Sequence, residues 1–214
     1  MSEETTNDAH LELANLFTAA AADITNLQSR LREADSPTDR RALVRSVFAF
    51  VESMLFALKQ EALHHPSVFS SPEIALLREE SYELADDGEA LIRPARLTLK
   101  RNLKFTFAAF AKAWRTRCRL ELGDAGWQDF GSALKVRDRL MHPKRIADLD
   151  VSDDEVRIVN HASVWFIGTY AIALAGALGE WWKQVKAMDL AADNEALRAA
   201  TQRCAAATPT EADR

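Results

Sequence analysis

Between Ile158 and Gly179 the chain reads IVNHASVWFIGTYAIALAGALG, with no residue of fixed charge. About 20 apolar residues suffice to cross a bilayer as a helix, so such a stretch has to be hidden in lipid or inside protein. Asn160, His161 and Ser163 weaken its first part, and the strongly apolar remainder is shorter than a span. Gly168, Ala171, Ala175, Gly176 and Gly179 suit a helix that neighbouring elements approach closely. The expectation is a central core helix of a bundle, with His161 as a satisfied core histidine. A membrane-associated helical protein is the weaker alternative.

The rest of the sequence can supply the bundle. With only seven glycines among 214 residues, and alanine and leucine abundant, the composition favours helix. Apolar residues at helical spacing predict a helix over about Ala9–Ala34, after a disordered segment 1–8. Ser36 or Thr38 can cap a second helix with Pro37 in its first turn, carrying Leu43, Val47, Phe50, Met54 and Leu58 inward. Ser71-Pro72-Glu73 opens a short helix to about Glu80. Asp87-Gly88, between Tyr82/Leu84 and Leu91/Ile92, signals a β-hairpin inserted at about 81–99. An amphipathic helix is expected from Thr98 to Leu120 and another from Gln128 to Met141, stopped at Pro143. Ser152 and Glu155 form a capping box for the apolar helix, which should run to about Met188. A last helix is expected within Asn194–Ala206 and a disordered tail over 207–214. The fold class is all-α: one helical domain over 9–200 with a small inserted hairpin.

Charge is distributed unevenly. The net charge is −5, yet between Glu89 and Glu121 there is no acidic residue and nine basic ones: Arg93, Arg96, Lys100, Arg101, Lys104, Lys112, Arg115, Arg117 and Arg119. On one continuous helix Lys100, Lys104, Lys112, Arg115 and Arg119 would share a side. Like charges at such spacing repel, so either acidic loops such as Asp148–Glu155 neutralise them or they track phosphates. Phe105 and Trp114 could stack bases there, although at their positions they suit the core better. Cys118 and Cys204 are too sparse for a disulfide framework or a zinc site, and the acidic N-terminus is no secretory signal. A cytoplasmic setting is expected, with no metal and no cofactor.

The densest chemistry lies in KVRDRLMHPK, residues 135–144. On an unbroken helix Arg137 and His142 would point about 140° apart. Pro143 disfavours helical backbone at His142, which should swing out past the helix end and toward Arg137. A guanidinium can grip a phosphate, and an imidazole can move a proton near neutral pH. Together they suit RNA cleavage through the 2′-hydroxyl. Cleavage of that kind is served better by two histidines than one, which points to two chains pooling their motifs across a two-fold axis. Glu52, a lone carboxylate among apolar neighbours, could pair with Arg137 or Arg139, whereas His64 and His65 read as loop spectators. The alternative is a charged helix end with His142 as its cap.

RDRLMH at 137–142 resembles the R-x4–6-H signature, with a polar residue after the arginine, of the HEPN superfamily (higher eukaryotes and prokaryotes nucleotide-binding). Similar members often carry glycine after the histidine, where this chain has Pro143. The resemblance implies a HEPN-like helical bundle that acts as a dimeric, metal-independent endoribonuclease with a composite active site, of toxin or anti-phage defence type. Arg137 would bind the scissile phosphate, His142 would transfer protons and Asp138 would orient one of them. Lys100, Lys104, Arg115, Arg119, Arg139 and Lys144 would hold the RNA, and a toxin would have a neutralising partner protein. A non-catalytic RNA- or protein-binding module is the alternative on the same scaffold.

Overall fold

A computed structural model describes residues 3–207. Six α-helices and one hairpin follow in the order α1 (Glu3–Glu33), α2 (Pro37–Leu63), α3 (Ser71–Leu77), β1 (Glu80–Leu84), β2 (Ala90–Pro94), α4 (Leu99–Ala113), α5 (Ala125–Met141) and α6 (Asp153–Ala207). The architecture is thus mostly helical with a two-stranded antiparallel sheet. Helix α1 starts at Glu3, where disorder was expected through residue 8, because no glycine or proline interrupts the sequence up to Glu33. The expected tail lies, from residue 208 on, outside the described residues.

Helix α2 is the centre of the bundle. The Ser36 hydroxyl accepts from the Asp39 N–H at 3.0 Å and Pro37 occupies the first turn, so the helix starts where its cap and proline predict. Leu43, Val47, Phe50, Met54 and Leu58 are all fully buried. Each such side chain contributes roughly 1.5–3 kcal/mol on leaving water. Around them α1 and α6 run antiparallel, since Gln28 bonds Asn160 at 2.8 Å while Phe17 stacks on Tyr170 at 6.2 Å.

Helix α6 is a core helix on one face only. Val159, Ala162, Phe166, Tyr170 and Ala173 are buried, whereas Val164, Ile172, Leu178 and Trp182 on the opposite side are exposed. By length and composition Asp153–Lys186 could cross a membrane, and 28% of its apolar window is buried. The helix begins at the expected Ser152–Glu155 box, with 3.0 and 3.3 Å bonds in the two directions. It continues without a break to Ala207, so the separate last helix is part of α6. His161 is not a core residue; it lies exposed on the surface with Nδ1 3.5 Å from Asp129.

Helix α4 ends seven residues before the apolar periodicity suggests. Arg115 takes a left-handed φ of 54°. The Thr116 N–H reaches back to the Ala111 carbonyl at 3.0 Å and the Arg115 N–H to that of Lys112 at 3.4 Å. This is a Schellman turn with arginine where glycine is usual, so no glycine announced it. Arg115 and Arg119 therefore do not continue the helical face of Lys100, Lys104 and Lys112.

After this turn, α5 is capped by Asp124, whose Oδ1 accepts from the Trp127 N–H at 2.7 Å and whose Oδ2 accepts from Trp165 Nε1 at 3.0 Å. One carboxylate so ties the start of α5 to the middle of α6. The hairpin pairs Tyr82 with Ile92, and Gly88 supplies the left-handed φ of 85° its turn needs.

Candidate active site

Arg137 lies in the penultimate turn of α5 and is clamped from two elements. Its Nη2 donates to Glu52 Oε1 of α2 at 2.7 Å, and its Nη1 to Asp138 Oδ1 at 3.1 Å. Of the two partners open to Glu52, the structure selects Arg137, and Asp138 orients Arg137 rather than His142. The Arg137 side chain is 26% exposed and that of Glu52 48%. An ion pair that open adds at most about 1 kcal/mol to stability, so its main consequence is a fixed guanidinium.

His142 terminates α5. Its φ of −131° and ψ of 55° have left the helical region, as the following proline requires, while its N–H still bonds the Asp138 carbonyl at 3.2 Å. The residue is exposed, and no hydrogen bond or ion pair joins its ring to Arg137 or to any other described residue. Five residues of helical rise place the two backbones about 7.5 Å apart along the axis. Within one chain the motif is thus a fixed cation and an unengaged imidazole at one helix end.

Its neighbours divide by role. Arg139, expected on RNA, points the other way: its guanidinium donates to Glu155 at 2.9 and 3.0 Å, and its Nη2 donates to the Asp150 carbonyl as well. It pins the start of α6 to the last turn of α5. Burial works against ionisation of Glu155, yet Arg139 and Ser152 hold its carboxyl below the usual range. Lys144 is exposed, with its backbone N–H on Asp148 Oδ2 at 2.8 Å. Bonds from the Lys144 and Arg145 N–H groups keep the Asp148 carboxyl below its ordinary value.

Beside Arg137 opens a cleft of about 390 Å³, walled by α2, the first turn of α4 and the base of the hairpin. Its polar side chains include Glu52, Lys59, Glu79, Asn102 and Arg137. Lys59 is 1% exposed and holds Glu79 Oε1 at 3.0 Å. Glu79 itself has a φ of 60°, a conformation uncommon outside glycine. None of Phe56, Lys59, Glu79 and Asn102 stood out in the sequence. The available signal was that Glu52, Phe56 and Lys59, spaced by four and three residues, share a helical face that α2's apolar stripe leaves out.

The cationic interval is largely left without counter-charge. Lys112 pairs with Glu73 at 2.8 Å and Arg93 with Glu83 at 3.0 Å. Among the described residues Arg96, Lys100, Arg101, Lys104, Arg115, Arg117 and Arg119 have no carboxylate at ion-pair distance. The acidic loop is spent elsewhere, with Asp148 on Arg145, Asp153 on Arg40 and Glu155 on Arg139. Lys100 and Lys104 stand over the Trp127 ring at 5.3 and 5.2 Å. Lys104 also lines a groove of about 630 Å³ with Arg115 and Arg119, so these residues meet across a groove although they share no helix face. Phe105 and Trp114 pack partly buried against a small cluster around Phe69 and Leu77.

Burial pushes the Cys118 thiol above its ordinary value, away from a thiolate at neutral pH. Among the described residues no three His, Cys, Asp or Glu side chains group as metal ligands. No family model, curated protein or solved structure matches the chain.

Proposed function

We propose that this protein is an endoribonuclease of HEPN type that cleaves RNA by attack of the 2′-hydroxyl on the adjacent phosphate. The observation that carries the reading is the end of α5, where a clamped Arg137 stands one turn before an exposed, unengaged His142. A track of unneutralised cations on α4 and beyond supplies the means to hold a polyanion.

In the reaction, one histidine takes the 2′-hydroxyl proton as the O2′–P bond forms. A second delivers a proton to O5′ as the P–O5′ bond breaks, leaving a 2′,3′-cyclic phosphate and a free 5′-hydroxyl. Arg137 binds the non-bridging oxygens and offsets the charge that grows on them. One chain offers one motif histidine, so a second copy supplies the other across a two-fold axis. A toxin or defence role with a neutralising partner belongs to the same reading.

The test is cleavage of a labelled RNA in the presence of a chelator by wild type, Arg137→Ala and His142→Ala. Each variant is expected to lose about 100-fold or more in rate while salt-sensitive RNA binding persists. Unchanged cleavage by both variants refutes the reading. One observation favours the non-catalytic alternative: both terminal nitrogens of Arg137 already face carboxylates. A binding module predicts RNA affinity that falls with salt and no turnover by the wild-type protein.

A further inference from the structure

We infer that the cleft beside Arg137 is a pocket for one unstacked guanine base of the bound RNA, an inference that rests on the ribonucleolytic reading. Charge is the first argument. The cleft carries two cations, Lys59 and Arg137, and two carboxylates, Glu52 and Glu79. Its sum is zero, so it does not suit a bare phosphate; it suits an uncharged group rich in donors and acceptors. Its volume of about 390 Å³ falls within the range of small-molecule pockets and admits a purine.

The walls have the parts that base recognition needs. Single-stranded RNA is read by aromatic stacking together with hydrogen bonds to base edges. Phe56 is 46% exposed on a helix that buries most of its other large apolar residues, and it lines the cleft. On the opposite wall, the fully buried Thr106 donates its hydroxyl to Asn102 Oδ1 at 3.4 Å. That bond leaves the Asn102 amide N–H₂ as the group to meet a ligand.

Glu79 decides which base. The buried Lys59 side chain holds Oε1 at 3.0 Å and fixes the carboxylate, while Oε2 has no partner among the described residues. The left-handed backbone that puts Glu79 there is unfavourable for a residue with a Cβ and is held by the Ala95 N–H on the Glu79 carbonyl at 2.7 Å. Strain retained beside a cleft is a pointer to function. Guanine alone among the four bases presents two adjacent donors, N1–H and N2–H₂, to one carboxylate, with the O6 acceptor beside them for an amide. Adenine and cytosine offer a single amino group there, and uracil flanks its one donor with acceptors. With the base so held next to Arg137, the scissile phosphate is that of the guanosine or of its neighbour.

The experiment uses the full chain and two probes: GMP, AMP, CMP and UMP in calorimetric titrations, and a mixed-sequence RNA whose cut sites are mapped. Wild type should bind GMP about 10-fold or more tighter than the other three and cut beside guanosines. Phe56→Ala should lose about 10-fold in GMP affinity, the size expected for one base stack, and Glu79→Gln should level the four affinities. Phe56 is half in solvent, so its removal spares the core. Selective GMP binding that depends on Phe56, in a protein that cuts no RNA, sustains the pocket and removes the nuclease reading. Cleavage indifferent to guanosine, with the four nucleotides bound alike or with GMP binding intact in both variants, overturns the pocket and leaves the nuclease reading standing.

Discussion

Gly126→Ala sets two physical effects against each other. By intrinsic propensity, alanine in place of a helical glycine should stabilise α5 by up to about 1 kcal/mol. The structure predicts the reverse. A Cβ built on Gly126 would lie 2.0 Å from Trp165 Cδ1 and 2.4 Å from Cγ, where carbon atoms prefer about 3.5–4.0 Å. The indole cannot retreat without loss. It is packed 5.6 Å from Phe130 and 5.9 Å from Trp127 between ring centroids, and its Nε1 holds the capping carboxylate of Asp124 at 3.0 Å. Overpacking of this kind costs about 1–3 kcal/mol, and a bond to a charged acceptor is worth about 1.5–3 kcal/mol if broken. The net expectation is a loss of about 2–3 kcal/mol, or roughly 5–10 °C in Tm for a chain of this size. Thermal and urea unfolding followed by circular dichroism measure it. Trp165→Ala supplies the control: in that background Gly126→Ala should cost nothing, giving a coupling energy of about 2 kcal/mol in a double-mutant cycle. Wild-type or higher stability of Gly126→Ala alone would refute the reasoning. The same variant should also weaken RNA binding, because Trp127, the ring beneath Lys100 and Lys104, sits in the disturbed stack.

Arg115→Gly relieves a left-handed residue at the end of α4 and should raise stability by about 1 kcal/mol while lowering the salt dependence of RNA binding by about one counterion, which unfolding and salt-titrated anisotropy read separately. The Glu73 carboxyl is held down to about 2, first by Lys112 and then by the Ser70 N–H and hydroxyl. A carboxyl depressed in the folded state adds stability that is complete above its unfolded value near 4.5 and lost as pH falls toward about 2. Glu73→Gln should therefore flatten the stability profile between these limits and change little below them. Because both side chains of the Glu73–Lys112 pair are well exposed, the difference at pH 7 should stay at or under about 1 kcal/mol.

Much of the helix count was legible in the sequence because its signals are local. Ser36 and Pro37 start α2, Ser152 and Glu155 start α6, and Asp87-Gly88 turns the hairpin, each through bonds made within a few residues. Pro143 likewise announces that His142 leaves the helix, since the clash is with its own neighbour. The end of α4 was not legible. Its apolar periodicity runs on to Leu120, and the turn at Arg115 uses a residue that ordinarily avoids left-handed backbone.

Which charges face one another was decided only in three dimensions. Arg137 and Arg139 are two residues apart and look alike in the sequence, yet one meets Glu52 at a cleft and the other staples α6 to α5. Helical twist sends them to opposite sides, and the partners come from residues remote along the chain. The cleft itself joins Phe56, Glu79, Asn102 and Arg137 from α2, the hairpin base, α4 and α5. By itself the sequence determined where α2, α3 and α6 start, the hairpin and the motif at the end of α5, because backbone bonding and side-chain periodicity are short-ranged. Burial of Lys59, selection of Glu52 by Arg137 and the presence of a base-sized cleft depend on how the helices pack, and only the tertiary structure decided them.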